Sequence, residues 1–176
     1  MSARLKFPVN NSDHIRGNKN ALLELVEYGD FECGNCGQAY PIIKEILREM
    51  DDDLKFVFRN FPLTRVHSHS LNAAIACEAA GLQNKFWEMH DIIFENQEQL
   101  ESEDLLFYAE KIKLNVPQFT NDFKKNTLLS KVEADFESGM RSGVNSTPSF
   151  FINGIKYEGN WEEELIDYLK SQLLNV

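Results

Sequence analysis

A chain of 176 residues has room for one domain with a sizeable insertion, and for a real core. Its 43% hydrophobic and 26% charged residues are an ordinary soluble balance, and a formal net charge of −10 argues against broad binding to nucleic acid or anionic membrane. The opening "MSARLKFPVNNSDH" lacks the roughly 7–15-residue apolar run of a secretory signal and no window approaches the roughly 18 apolar residues of a membrane span, so a cytoplasmic location is expected for the chain as it stands.

The first element is "ALLELVEY" (Ala21–Tyr28), short, apolar on both faces and closed by Gly29-Asp30, the pattern of a central strand. Tyr40, Ile43, Ile46, Leu47 and Met50 then recur at helical spacing, predicting a helix over Cys33–Met50, with Pro41 expected to kink it. "LKFVFRNF" (Leu54–Phe61) sets Leu54, Phe56 and Phe58 against Lys55, Val57 and Arg59, a second strand and so a βαβ unit.

From His67 to Gly143 nearly everything has helical period. "SLNAAIACEAAG" stops at Gly81, and "KFWEMHDIIFEN" puts Phe86, His90 and Ile93 on one face. Ser102 is the expected cap of "SEDLLFYAEKI", and Pro117 suits the first turn of a helix carrying Phe119 and Phe123. Leu128, Val132, Phe136 and Met140 recur every four residues before Gly143. After this helical block, "TPSFFINGIKYEGN" reads as two short strands around Asn153-Gly154. The last helix is expected to open on a capping box, Asn160-x-x-Glu163, and to align Trp161, Leu165, Tyr168 and Leu169.

Of the three cysteines, Cys33 and Cys36 form a C-x-x-C at the junction of strand and helix. A helix N-terminus favours negative charge, so Cys33 is the expected nucleophile, an exposed thiol with its pKa at about 5–7; Glu32 beside it should moderate the shift. Cys36, one turn inside, is placed to resolve a mixed disulfide on Cys33. Zinc would need four ligands, and only Cys77, His67 and His69 stand ready to join the pair. A permanent staple across so short a loop removes little chain entropy. Glu27 shares a strand face with Leu23 and Leu25, where a partly desolvated carboxyl could take the proton of Cys36; the alternative is a strand-end glutamate that reaches water. Thr147-Pro148 starts an apolar strand with a residue lacking an N–H, which points to a special peptide bond, either cis or an ordinary trans strand start. Cys77 is expected to be a small buried hydrophobe, His90 a core histidine, and His67 and His69 surface or capping groups.

These motifs together resemble the DsbA-like branch of the thioredoxin superfamily. "VEYGDFECGNCGQAYPIIKEI" is similar to its active-site strand and helix, with the acid six residues before the first cysteine and the proline eight after it. "FRNFPL", "AAIACEAAG", "KFWEMHDIIFENQE" and "GVNSTPSFFING" follow in that family's order, nearly end to end. The resemblance implies an α/β fold: a thioredoxin-like domain of residues 1–62 and 143–176, interrupted by an all-helical insertion, 63–142. It implies thiol–disulfide exchange with protein or peptide substrates and no metal or organic cofactor. Thr147-Pro148 would be a cis-proline element facing the cysteines, with substrate pairing along the backbone at Thr147 and lying against Gly34 and Asn35. The Gly34-Asn35 dipeptide differs from the Pro-His of strongly oxidising relatives and leaves the direction of electron flow open. The rival readings are a glutathione-dependent isomerase or transferase of the same fold, and a zinc-binding interaction module.

Overall fold

The computed structural model describes residues 2–50 and 52–173. Met1 and residues 174–176, the outermost positions of the expected thioredoxin-like segment, lie outside the described residues, as does Asp51. In chain order the elements are β1 (His14–Gly17), β2 (Leu23–Gly29), α1 (Gly34–Met50), β3 (Leu54–Asn60), α2 (Ser70–Gly81), α3 (Phe86–Phe94), α4 (Ser102–Lys111), α5 (Val116–Asp122), α6 (Asn126–Arg141), β4 (Ser149–Ile152), β5 (Ile155–Lys156) and α7 (Leu165–Leu173). The expected βαβ unit, helical block, hairpin and final helix are all present.

The sheet runs β1-β3-β2-β4-β5, with β2 parallel to β3 and the other pairs antiparallel. The edge strand β1 was not foreseen: "HIRG" is too short to show an alternation, and only its partner β3 defines it. The expected one-sided burial of β3 is also corrected. Leu54, Phe56 and Phe58 join one core, while Val57 is buried in a second core on the opposite face, with Val26, Tyr28, Phe61 and Phe151. Arg59 is buried on β3 too, made tolerable by a paired set of bonds to Asp13 at 2.8 and 2.9 Å and by the Phe7 and Pro8 carbonyls.

Helix α1 buries Ala39, Ile43, Ile46, Leu47 and Met50 at three- and four-residue spacing and runs through Pro41 as one helix. Ala-rich α2 is buried almost all round, including Cys77, as the central helix of the inserted block must be. Three helix details differ from expectation. The N-cap of α4 is Glu101, whose N–H donates to Asp104, and Ser102 lies inside the helix. Asn160 accepts from Glu162 N–H instead of pairing with Glu163; the chain turns there, regular helix begins at Leu165, and Tyr168 is exposed. In α6 a four-residue repeat drifts by about 40° per step on a helix of 3.6 residues per turn. Leu128 and Val132 therefore face one core, Phe136 stacks on Phe61 at 4.4 Å, and Met140 turns to solvent. The hairpin is as read: Asn153 and Gly154 both take positive φ, 47° and 76°, the turn that Asn-Gly favours.

Candidate active site

Because β2 and β3 are parallel, their C-terminal ends open at the same edge of the sheet, the edge where crevices form in open α/β folds. The turn after β2 carries Asp30 to Cys33, the loop after β3 carries residues 61–69, and the segment before β4 supplies Thr147 and Pro148. All three meet around the cysteines.

Cys33 caps α1: its N–H donates to Asp30 O at 3.1 Å and its carbonyl accepts from Gly37 N–H at 3.1 Å. Its S–H donates to the Thr147 carbonyl at 3.4 Å. At 8% accessibility it is more enclosed than the exposed thiol expected, because the Thr147-Pro148 segment lies over it; Cys36 is at 0%. The pKa of Cys33 is lowered to about 5. The largest cause is the hydrogen bond from Cys36; burial opposes it, and Thr147 with the backbone N–H groups of Cys36 and Asn35 adds to it. Thr147 Oγ1 is buried with no partner in the thiol form, as suits a donor whose acceptor is the thiolate. Glu32, expected to moderate the shift, accepts from His69 N–H at 2.7 Å.

Cys36 is shifted the other way, well above the ordinary thiol value, first by burial and then by Cys33 and the charge of Glu27. Asp30 N–H donates to its sulfur at 3.4 Å. Glu27, 3% exposed, sits on β2 directly between Phe58 of β3 and Phe150 of β4. This apolar setting, with the Cys33 charge second, raises its pKa to about 8. It is not a strand-end glutamate in water.

Gly34 and Asn35 are exposed beside Cys33, and Pro148 is buried. The Thr147–Pro148 peptide bond is cis. Cys77 is buried at 0%, apart from the pair, and His90 is buried in a cage of Phe31, Phe58, Phe86 and Phe94 with Nδ1 on Asp91. Among the described residues no group of three or more His, Cys, Asp or Glu side chains could hold a metal ion.

A family profile described as thioredoxin matches residues 9–170. The chain belongs to the thioredoxin family. Among solved structures, BdbD from Bacillus subtilis (oxidised) superposes with a TM-score of 0.85 at 24% identity, covering 99% of this chain and 100% of that one. A thioredoxin-like oxidoreductase from Silicibacter pomeroyi gives 0.84 at 20% identity, with 95% of each chain covered. The thiol-disulfide exchange protein alpha-DsbA2 from Wolbachia pipientis gives 0.79 at 19% identity over 94% and 88% of the two chains. The fold is therefore the DsbA-like one. In sequence the chain is similar to Na(+)/H(+) antiporter NhaA 1 of Salinispora arenicola (40% identity over 92% of this chain) and of Mycolicibacterium vanbaalenii (43% over 85%). It spans only 25% of the length of either.

Two residues of this thioredoxin-family site escaped the sequence reading. Gln97, between α3 and α4, donates from Nε2 to the Phe31 and Cys33 carbonyls, 2.9 Å each, and so braces the active-site turn from the helical block. His67 is more than a capping group: its Nδ1 lies 2.8 Å from Asp30 Oδ2. Both contacts join residues more than thirty positions apart, so no local pattern announces them.

Proposed function

We propose that this chain is a thiol–disulfide oxidoreductase acting on protein or peptide substrates, with Cys33 as nucleophile and Cys36 as resolving thiol. The observation that carries this reading is the placement of the two thiols. Cys33 caps α1 with its sulfur against the Thr147 carbonyl, and Cys36 is fully enclosed one turn on, which draws the pKa of the first down to about 5 and pushes the second well above 9.0. At neutral pH one sulfur is a thiolate ready to attack, and the other keeps its proton until it is needed.

In the reducing direction, Cys33 thiolate attacks a substrate disulfide, forming a mixed disulfide and releasing one substrate sulfur. Bonding Cys33 removes its charge, one of the two causes that keep Glu27 protonated. The carboxyl then gives its own proton to solvent more readily and, as a carboxylate, takes the proton of Cys36. The Cys36 thiolate attacks Cys33 Sγ, the second substrate sulfur leaves, and the pair ends as a disulfide, two electrons poorer. The reverse sequence oxidises a substrate dithiol, with Glu27 returning its proton to Cys36. A Cys33 pKa of about 5 favours the reduced pair at pH 7 by roughly 3 kcal/mol, which makes it about 60 mV more oxidising than an otherwise equal pair of ordinary thiols. The exposed Gly34-Asn35 rim and the Thr147 backbone are where an extended substrate would lie.

The test is to trap the intermediate. Cys36→Ser should accumulate a mixed disulfide on Cys33 and lose turnover, and Cys33→Ser should be inert. Full activity in Cys36→Ser would instead favour a glutathione-dependent isomerase or transferase, which has no need of the second thiol.

A further inference from the structure

Asp30 connects both cysteines to a histidine that exchange between Cys33 and Cys36 does not itself employ. Its carbonyl accepts from Cys33 N–H at 3.1 Å, and its N–H donates to Cys36 Sγ at 3.4 Å. Its fully buried carboxylate accepts from Glu32 N–H at 2.8 Å and Leu63 N–H at 2.7 Å, and lies 2.8 Å from His67 Nδ1. Glu32 in turn accepts from His69 N–H at 2.7 Å. Two carboxylates of the active-site turn thus pin the 61–69 loop beside Cys33. The carboxylate of Asp30 can only accept, so Nδ1 carries its hydrogen and any proton exchanged with a ligand sits on Nε2. That nitrogen makes no hydrogen bond among the described residues, and the ring is 23% accessible.

We propose that His67, oriented by Asp30, stabilises and then protonates the sulfur that leaves the substrate, as Glu27 serves the sulfur of Cys36. This deepens the exchange reading given above and rests on it. When Cys33 thiolate attacks the substrate disulfide, the departing sulfur takes the bond's electron pair and then the Nε2 proton, leaving neutral imidazole. In the reverse direction a substrate thiol gives its proton to Nε2 and its thiolate attacks the Cys33–Cys36 bond. The groups that face the ring suit this task. Burial would lower the pKa of His67, but the hydrogen bond and charge of Asp30, then Cys33 and Glu32, outweigh it and hold the pKa above the ordinary value. His69 faces Glu101 instead, at 3.7 Å.

The experiment compares two disulfides with reduced protein at pH 7: oxidised glutathione, whose leaving thiolate is basic, and dithiobis-nitrobenzoate, whose aromatic thiolate holds its own charge. A thiol with pKa about 5 stays almost wholly ionised at pH 7 even after a modest rise, so the attacking group is the same in both proteins. His67→Gln should slow the glutathione reaction about tenfold and the aromatic one less than twofold. In the wild type, the ratio of the two rates should fall as pH rises through an ionisation above 6.5 that belongs to neither cysteine. Equal slowing of both reactions, no slowing, or a flat ratio would overturn the role of His67. Failure of the wild type to react with either disulfide would instead overturn the exchange reading beneath it.

Discussion

At the scale of single residues, Glu27 shows how a strand pattern becomes chemistry. Its place on the Leu23/Leu25 face was legible, because alternation in a strand is strict. The depth of its burial was not, since that depends on Phe58 and Phe150 in the flanking strands. The sign of the consequence is clear. The folded pKa of about 8 lies above the ordinary 4.5, so the unfolded chain ionises first as pH rises. The buried acid therefore costs nothing below about pH 4.5, costs progressively more up to about 8, and reaches roughly 3–5 kcal/mol beyond. Glu27→Gln should accordingly stabilise the reduced protein by several kcal/mol at pH 8 and hardly at all at pH 4, in denaturant titrations, while slowing resolution of a Cys33 mixed disulfide tenfold or more. A stability difference independent of pH would contradict the buried acid.

At the scale of elements, the helix carrying the cysteines is held from outside as well as by its own sequence. Its apolar spacing and the strand-to-helix position of Cys33 were readable, because both are local. The brace from Gln97 was not, because it comes from a loop sixty-four residues beyond Cys33. Gly37 is what admits it: a Cβ there would stand 1.9 Å from Gln97 Oε1. Gly37→Ala should displace that flexible side chain, and alanine in a helix gains about 1 kcal/mol over glycine. The lost pair of hydrogen bonds, about 0.5–1.5 kcal/mol each, offsets that gain, so the variant should melt within a few degrees of wild type yet show a raised Cys33 pKa and several-fold slower exchange. An unchanged pKa and rate would mean that Gln97 only fills space.

At the scale of the whole molecule, the order of elements was legible because each signal was local: two apolar runs, a helical block, Asn-Gly between two short strands. The parallel return of β3 beside β2 was legible too, in the βαβ pattern, but the side-chain contacts it creates were not. It sets Asp30 next to His67, thirty-seven positions away, and the close approach of α6 places Gly139 and Ser138 against Phe61 and Tyr28. Edge strand β1 likewise exists only through its partner. This architecture divides two nearby thiols into a thiolate and a guarded thiol. The division should be visible in the thiolate absorbance of the reduced protein followed from pH 3 to 10. One thiol should ionise at about pH 5 and vanish from the curve in Cys33→Ser, with Cys36 still protonated at pH 9. A first ionisation near the ordinary thiol value of 9.0, or one that survives in Cys33→Ser and is lost in Cys36→Ser, would contradict it.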